Sequence, residues 1–373
     1  MSENETLREL LAAREVLVCC GSGGVGKTTA AAALALAGAR AGRRVCVVTI
    51  DPARRLADAL GLDALTNTPS PVDDAATTAA GGALSAMMLE VTSTFDDTVR
   101  RNAKDEAQAQ AILDNRIYQN ISKGLSGTQE YMAMEKLWQL HADGAFDLVV
   151  IDTPPSRNAL DFLDAPDRLS RFIDHRLFRL MTLPTRGAFR AVSLAAQAFV
   201  RTITKVVGGE VVSDVLAFLT AFEGMEQGFR DRATAVRALM EDEATAFVLV
   251  ASPRRDTVVE ALFFAQKLRE AGIRVRSLVV NRVHPGVGLG LPSVPPAPAG
   301  SALAALEENL AALDSVAARE REHLGDLTAA VAPAPVVLVP FLASDVHDVE
   351  GLGEIAAYLL GETSEVTSYR TAG

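Results

Sequence analysis

The chain has 373 residues, of which 49% are hydrophobic and 22% are charged, values that are typical of a globular protein and exclude a disordered one. Its 36 Lys and Arg residues against 47 Asp and Glu residues give a net charge of −11, which argues against a general nucleic-acid-binding protein, since such proteins neutralise phosphates. No apolar run approaches the ~18 residues of a membrane-spanning helix, and the polar, acidic residues 1–9 do not suit a signal peptide. We therefore expect a cytoplasmic protein that could associate with a membrane through a partner or by peripheral contact.

Seven short apolar runs are predicted to be strands, and helical patterns fall between them. Most of these runs are continuously apolar rather than alternating, which is typical of strands buried on both faces. The sequence therefore predicts an α/β fold with a doubly wound, mainly parallel sheet. The predicted strands are Val16–Cys20, Arg44–Ile50, Leu84–Leu89, Phe146–Ile151, Phe247–Ala251, Val275–Asn281 and Pro335–Pro340.

Two stretches interrupt this alternation with helical patterns alone, at about residues 91–142 and at 158–242. We expect a core whose first part is residues 1–157, including the first of these insertions, and whose second part is residues 243–373. Residues 158–242 would then form an inserted helical subdomain. Residues 284–300 contain five prolines and four glycines, which predicts a loop, and a helix is expected to follow it.

A glycine-rich segment, Gly21-Ser22-Gly23-Gly24-Val25-Gly26-Lys27-Thr28, follows the first predicted strand and fits the pattern G-x-x-x-x-G-K-[ST]. By average residue usage this pattern arises by chance in roughly one chain of this length in a hundred. Its glycines let backbone N–H groups turn towards phosphates, and the helix that follows adds its positive end. We predict that residues 21–29 bind a nucleotide, with Lys27 on the β- and γ-phosphates and the Thr28 hydroxyl on Mg²⁺.

Polar residues follow three further predicted strands. Asp51 could orient water or Mg²⁺, although an Asp-Pro pair is equally suited to begin a helix. Asp152 follows four apolar residues, as the acid of a Walker B strand does, so we place it near Mg²⁺. Two prolines after Asp152 would fix a loop that responds to the γ-phosphate. Asn281 could present its amide to an adenine edge or could simply be a turn residue.

Together these residues resemble the ArsA/Get family of deviant-Walker P-loop ATPases. The resemblance is carried by G-x-G-G-V-G-K-T-T at residues 21–29, Asp-Pro-Ala at 51–53, Asp-Thr-x-Pro at 152–155 and Val-Asn-Arg at 280–282. Gly127-Thr128-Gln129-Glu130-Tyr131 also lies where the family has a Gly-x-x-Glu stretch, and the resemblance spans about Leu17 to Leu360. It implies a P-loop NTPase fold of the SIMIBI class that binds Mg²⁺ and ATP between two subunits.

The resemblance also implies roles for individual residues. Lys27 and Asp51 would be catalytic, with Asp51 positioning the attacking water, and Thr28 and Asp152 would hold Mg²⁺. The first switch would contain Asp51, Pro52, Arg54 and Arg55, and the second Asp152, Thr153, Pro154, Pro155 and Arg157. The adenine would be framed by Asn281, Pro340, Phe341 and Leu342, and Arg282 would also bind the nucleotide.

The sequence departs from the family at one position of the phosphate loop. Family members usually carry there a second lysine that reaches the partner's phosphates, whereas this chain has Ser22. Such a cation is worth about 10³–10⁵ in rate, or about 4–7 kcal/mol of barrier. Three explanations are open. The charge of the missing lysine could come from Arg54, Arg55 or Arg157, hydrolysis could be slow, or the partner could be a paralogue that carries the lysine. We favour the paralogue, and a homodimer stays open.

The cysteines are a second departure. Arsenite binding in the pump ATPases of this family needs a cluster of thiolates, and zinc-clamped dimers need C-x-x-C. Cys19, Cys20 and Cys46 instead lie within predicted strands, where a free cysteine is usually a small buried hydrophobic residue. An arsenite or other anion pump-driving ATPase is therefore the less favoured function.

The long helical insertion is rich in bulky apolar residues, and residues 166–210 carry eight Arg or Lys against three Asp or Glu. In the targeting ATPases that this chain resembles, the corresponding region holds an apolar client helix in a groove. Packing on the ATPase core, or contact with an anionic membrane, would explain the same composition. The groove candidates are Phe189, Phe199, Leu216, Phe218, Leu219, Phe222 and Met225.

The sequence thus predicts an ATP- and Mg²⁺-dependent ATPase that works as a nucleotide-gated homodimer or heterodimer. ATP binding and hydrolysis would move the helical subdomain, which would capture and release a hydrophobic membrane-protein client. The main alternative is a nucleotide-gated binding subunit that hydrolyses ATP weakly or not at all and is paired with a lysine-bearing paralogue. No nucleic-acid partner is expected.

Overall fold

The computed structural model of the chain describes residues 5–50, 54–124, 128–154, 209–222, 225–285 and 297–363. The chain divides into two compact units. Unit 1 contains residues 1–89, 140–160 and 241–373, and unit 2 contains residues 90–139 and 161–240.

Unit 1 is built on an eight-stranded sheet with the order β3-β4-β2-β5-β1-β6-β7-β8. Every described pairing is parallel except that of β3 with β4, so the predicted α/β fold with a mainly parallel sheet is confirmed. The strands are β1 (Val16–Cys20), β2 (Arg44–Thr49), β3 (Ser70–Val72), β4 (Ala83–Met88), β5 (Leu148–Asp152), β6 (Thr245–Ala251), β7 (Val275–Val283) and β8 (Val336–Pro340).

Strand β3 is absent from the sequence prediction. It has three residues, and Pro71 at its centre cannot donate a backbone hydrogen bond, which confines proline to edge strands. The predicted strand Val16–Cys20 is found with the same ends, and the remaining predicted strands are found with one or both ends shifted. The fourth begins at Leu148 rather than Phe146 and includes Asp152, and β7 continues past Asn281 to Val283.

Helices cover this sheet. Helix α2 follows the phosphate loop directly, and its residues Ala30–Ala37 are all buried because it contacts several strands as well as α13. A helix that is apolar on every side is typical of such a buried position. The described helices of unit 1 are α1 (Leu7–Ala13), α2 (Lys27–Arg40), α3 (Arg55–Ala59), α4 (Ala75–Ala79), α11 (Arg255–Glu270), α12 (Ala302–Val331) and α13 (Val349–Leu359).

Unit 2 is helical in all its described parts. Its buried core contains the apolar side chains Val99, Ala109, Ile112, Tyr118, Phe218, Met225 and Phe229. Two of the predicted groove residues, Phe218 and Met225, thus lie among neighbouring helices, with 7% and 1% of their surface exposed. The side chains of Phe189, Phe199, Leu216, Leu219 and Phe222 are outside the described residues. The helices are α5 (Val91–Asn102), α6 (Glu106–Leu113), α7 (Arg116–Gly124), α8 (Thr128–Ala142, whose last turn belongs to unit 1), α9 (Gly209–Phe222) and α10 (Glu226–Glu241).

In the part of the chain that the structure describes, no helix combines the length and the apolar character needed to cross a bilayer.

The C-terminal end of α2 is tied to α4 by a charged contact. Arg40 Nε and Nη2 donate to the carboxylate of Asp74 at 2.9 and 3.0 Å. Asp74 also caps α4, because it accepts hydrogen bonds from the backbone N–H and the hydroxyl of Thr77 at 2.9 and 2.7 Å. The Arg40 guanidinium, together with the donors of Thr77, holds the pKa of Asp74 well below its ordinary value.

Replacing Asp74 with Asn is expected to lower the free energy of unfolding by about 1–3 kcal/mol at pH 7, because four donors lose a charged acceptor. The pKa of Asp74 is lower in the folded than in the unfolded state. Its carboxylate therefore contributes to the free energy of unfolding above the unfolded pKa of about 3.9, and this contribution is lost as the pH falls below that value. Urea unfolding should therefore show that the difference in free energy of unfolding between the unaltered chain and Asp74→Asn becomes smaller below about pH 4.

The matched control is Asp73→Asn, since Asp73 is the exposed neighbour of Asp74. This control is expected to change stability by less than about 0.5 kcal/mol. Equal losses in the two variants, or a difference that does not depend on pH, would contradict the assignment.

Candidate functional site

A pocket of about 470 Å³ opens in unit 1, where the carboxyl ends of the parallel strands meet. Such an edge is where α/β sheets bind their ligands. The pocket is lined by the phosphate loop, by the end of β7, and by the end of β8 with the segment that follows it, so three groups of residues predicted to bind nucleotide lie around one space. From these groups the lining residues are Gly24, Gly26, Lys27, Thr28, Thr29, Asn281, Arg282, Pro340, Phe341 and Leu342.

The phosphate loop needs glycine at two crowded positions. Gly21 has a φ of 148°, and a Cβ added there would lie 2.0 Å from the carbonyl oxygen of Val250. Gly26 has a φ of 92°, and its Cβ would lie 2.2 Å from the side-chain nitrogen of Asn281. Side chains at these positions are excluded both by backbone conformation and by contact, which keeps the loop backbone against the sheet.

Lys27 is the first residue of α2 and lies at the pocket with 6% of its surface exposed. Its Nζ donates to the carbonyl oxygen of Ser22 at 2.7 Å, which holds the ammonium against the loop that precedes it. Ser22 itself is buried, with 2% of its surface exposed, and its hydroxyl has no hydrogen-bond partner among the described residues.

Asp152 is brought to the loop by the strand register. It ends β5 beside Cys19 of β1 and Thr49 of β2, and it is 1% exposed. Thr28 Oγ1 donates to Asp152 Oδ2 at 2.7 Å, and Thr49 Oγ1 donates to the same oxygen at 3.0 Å. A carboxylate beside a hydroxyl at a phosphate loop is an oxygen donor set of the kind that Mg²⁺ prefers, so Thr28 and Asp152 fit this metal.

The residues predicted to frame the adenine do lie at the pocket, but Asn281 has a contact that the sequence did not predict. Its Nδ2 donates to the carbonyl oxygen of Val25 at 2.9 Å, so its amide holds the phosphate loop.

Phe341 is 60% exposed, and its ring stacks on that of His284 with 5.8 Å between the centroids. Glu320 of α12 accepts from His284 through both carboxylate oxygens.

Several predicted switch residues fall outside the described residues, namely Asp51, Pro52, Pro155 and Arg157. Of the remainder, Arg55 and Thr153 line the pocket, and the Thr153 hydroxyl donates to the carbonyl oxygen of Cys19 at 2.9 Å. Pro154 follows Thr153 and is half-buried. Arg54 instead donates to the carbonyl oxygen of Asp63.

The pocket also contains polar residues that the sequence analysis missed, namely Asp58, Ser344, Asp345 and His347. The last three follow β8 closely, and extending the prediction from Leu342 to the whole loop after that strand would have found them. Glu320 carries no such signal, because it lies in the middle of a long helix and meets His284 only through the fold.

The three cysteines are buried in β1 and β2, as expected. Burial raises the pKa of the Cys20 thiol to about 12, and burial, followed by the charge of Asp152, raises that of Cys19 well above its ordinary value. Among the described residues, no group of three or more His, Cys, Asp or Glu side chains is placed to hold a metal ion.

Comparison with known proteins gives a consistent set of relatives. Residues 14–287 match the ArsA ATPase family, described as anion-transporting ATPases. An arsenical pump-driving ATPase of Escherichia coli is 26% identical over 93% of this chain and 49% of its own length. One of Acidiphilium multivorum is 28% identical over 71% of this chain and 39% of its own length. ATPase GET3 of Malassezia globosa is 25% identical over 74% of this chain and 76% of its own length. The chain therefore spans half or less of the two pump-driving ATPases.

A positive φ alone costs alanine about 1 kcal/mol. Gly26→Ala is expected to destabilise the protein by more than this, because the added Cβ also collides with Asn281. Gly61→Ala is the matched control, since Gly61 has a φ of 67° and nothing within 4 Å of its Cβ. Thermal or urea unfolding measures both variants. Adding Asn281→Ala to Gly26→Ala should recover part of the loss, and an equal loss in both glycine variants would contradict the close approach.

Proposed function

Because this chain belongs to the ArsA family of anion-transporting ATPases, we propose that it is a Mg²⁺-dependent ATPase whose nucleotide cycle changes the conformation of a helical unit. The observation that carries this proposal is the contact of Thr28 with Asp152 beside Lys27. Lys27 and Thr28 belong to α2 and Asp152 to β5, and all three lie at the carboxyl edge of the sheet, where the pocket opens.

The chemistry proposed for this site is in-line attack of water on the γ-phosphate of ATP. Lys27 and the backbone N–H groups of residues 23–28 would stabilise the charge on the transferring phosphoryl group. Thr28 and Asp152 would hold Mg²⁺, which when bound neutralises charge on the phosphates. Asp51 would orient the attacking water.

We further propose that the chain works as a dimer and that its partner is a paralogue. Support comes from Ser22, which cannot supply the cation that the family's lysine carries into the partner site. Ser22 is also buried, so a lysine there needs the loop to open. A homodimer in which an arginine supplies the charge is the alternative arrangement.

The proposed cargo is a hydrophobic segment of a membrane protein, bound by the helical part of the chain. Support comes from the apolar and basic composition of residues 166–210, which suits an apolar helix or an anionic membrane surface. Since Phe218 and Met225 are buried in unit 2, they would meet a client only if the surrounding helices separate.

Two alternatives stay within the same family. A nucleotide-gated subunit that hydrolyses ATP weakly or not at all would keep the pocket and lack turnover on its own. An arsenite pump-driving ATPase is equally consistent with the names of the relatives. Against it, the buried Cys19, Cys20 and Cys46 would not present thiolates, because burial raises the pKa of two of them.

Lys27→Ala is expected to reduce affinity for Mg²⁺ and ATP by about 100-fold or more, because the pocket loses its phosphate-binding ammonium. Isothermal titration calorimetry measures the affinity of the variant and of the unaltered chain. Lys267→Ala is the control, since Lys267 lies on the surface and pairs with Glu270. Unchanged ATP affinity in Lys27→Ala would refute the site. Arsenite should not raise the ATP turnover of the unaltered chain, which is expected to be negligible on its own.

The dimer proposal predicts negligible ATP turnover by the purified chain alone. A lysine-bearing paralogue should raise that turnover by about 10³-fold or more, because it supplies a cation in trans. Phosphate release should be measured beside light scattering, with and without a transition-state analogue, for the unaltered chain and for Ser22→Lys. Appreciable turnover by a homodimer that the analogue stabilises would instead mean that an arginine replaces the lysine.

A further inference from the structure

Helix α12 (Ala302–Val331) has apolar side chains at heptad spacing along its whole length. The first and fourth residues of each group of seven lie on one face of a helix, and an apolar face of this kind is typical of helices that pack side by side. On α12 this face has one polar member, Glu320. Its other members are Leu303, Leu306, Leu310, Leu313, Ala317, Leu324, Leu327 and Val331.

The C-terminal half of this face is buried within unit 1. Helix α12 contacts α11 and β7, and Arg269 of α11 donates to the carbonyl oxygen of Ala330 near the end of α12. The buried members, each 6% exposed or less, are Ala317, Leu324, Leu327 and Val331. This half of the face therefore has its packing partners in the same chain.

The N-terminal half of the face is exposed, and its four members are called here the leucine strip. Leu303, Leu306 and Leu313 are 54%, 65% and 45% exposed, and Leu310 is half-buried. Single exposed leucines are common on protein surfaces, but these four follow one another over about 15 Å of helix. Such a contiguous apolar surface indicates contact with another molecule. The leucine strip lies outside residues 14–287, which match the ArsA family, so the family match gives it no role.

The charges beside the leucine strip favour one kind of partner. Glu307 and Asp314 both take the fifth position of their heptads, which places them on the same edge of the strip, and residues 302–318 contain no Lys or Arg. A second copy of this chain would therefore bring no basic side chain opposite these acids, and an anionic membrane would be repelled by them. A helix with Lys or Arg along its edge would pair with them, since charges at such flanking positions select the partner of a paired helix.

Helix α12 also supports the nucleotide pocket. Glu320, in the middle of the helix, accepts from the backbone N–H of His284 at 2.9 Å and lies 2.7 Å from His284 Nδ1. The His284 ring stacks on Phe341, which lines the pocket. A molecule bound on the leucine strip would therefore contact the helix that holds one side of the pocket, which favours the partner subunit of the proposed ATPase as its source.

We propose that the leucine strip binds a helix of the partner subunit, and that this helix has apolar residues at heptad spacing and Lys or Arg along its edge. This inference rests on the proposed dimer and gives its second subunit a chemical character that differs from that of this chain. Apolar contact of this kind needs no nucleotide, so it holds the two subunits together while ATP is exchanged.

The probe for this surface is a fluorescent synthetic peptide of three heptads, with Leu at the first and fourth positions and Lys at the fifth and seventh. Its lysines repel one another, which disfavours pairing of the peptide with itself. Fluorescence anisotropy measures its binding to the purified chain without nucleotide. Leu306→Gln together with Leu313→Gln is expected to weaken binding by about 10-fold or more, because two exposed members of the strip are lost. A peptide with Glu in place of Lys should bind the unaltered chain at least about 10-fold more weakly.

Ala305→Gln together with Ala312→Gln is the matched control, because both alanines are exposed on α12 and lie away from the leucine strip. This control should bind the lysine peptide like the unaltered chain. Both double variants should keep the affinity of the unaltered chain for AMP-PNP, an ATP analogue that is not hydrolysed.

Titration with the lysine-bearing paralogue tests whether the partner subunit is the source of the helix. The variant of Leu306 and Leu313 should need about 10-fold more paralogue than the alanine control to reach half of the maximal ATP turnover. Equal requirements in the two variants would overturn the partner subunit as the occupant of the strip.

Equal binding of the lysine peptide by the two double variants, or equal binding of the Lys and Glu peptides by the unaltered chain, would overturn the inference. Self-association of the unaltered chain in light scattering, lost in the variant of Leu306 and Leu313, would also overturn it, because the strip would then join copies of this chain. Failure of the unaltered chain to bind AMP-PNP would instead overturn the proposed function, since the peptide assay contains no nucleotide.

Discussion

The candidate site depends on the parallel pairing of β5 with both β1 and β2. This register places Asp152 opposite Cys19 and Thr49, directly below the start of the phosphate loop. Because the residue is 1% exposed, the charge of its carboxylate would be costly without donors, and the hydroxyls of Thr28 and Thr49 both donate to its Oδ2. A slip of one residue in β5 would turn this side chain to the other face of the sheet. The register of β5 therefore decides whether Asp152 reaches the site.

The phosphate loop is held from both sides by different elements. Lys27 Nζ binds the carbonyl oxygen of Ser22 within the loop, and Asn281 and Arg282 bind the carbonyl oxygens of Val25 and Gly24. These contacts use carbonyl groups, which leaves the loop N–H groups available for the anion-binding role that such loops have. The apolar helix α2, buried on all sides, then fixes the position of the loop relative to the sheet.

Ser22 raises the question of where positive charge comes from at this site. Lys27 supplies one ammonium, which is buried and binds the carbonyl oxygen of Ser22. Under the proposed function, a second cation comes from a lysine-bearing paralogue. Assembly of the two chains and hydrolysis of ATP would then be coupled.

Local pattern was enough to predict the α/β class, most strands, and the positions of the glycine-rich loop and of Asp152 at the ends of strands, because each depends on neighbouring residues in the chain. The edge strand β3 was missed, since three residues around Pro71 carry no periodicity. The contacts of Asn281 with Val25, of Arg282 with Gly24 and of His284 with Glu320 join residues that are 36 to 258 positions apart. Only the tertiary structure decided them, because the strand order and the bulge that follows Asn281 in β7 set which side chains meet at the carboxyl edge of the sheet.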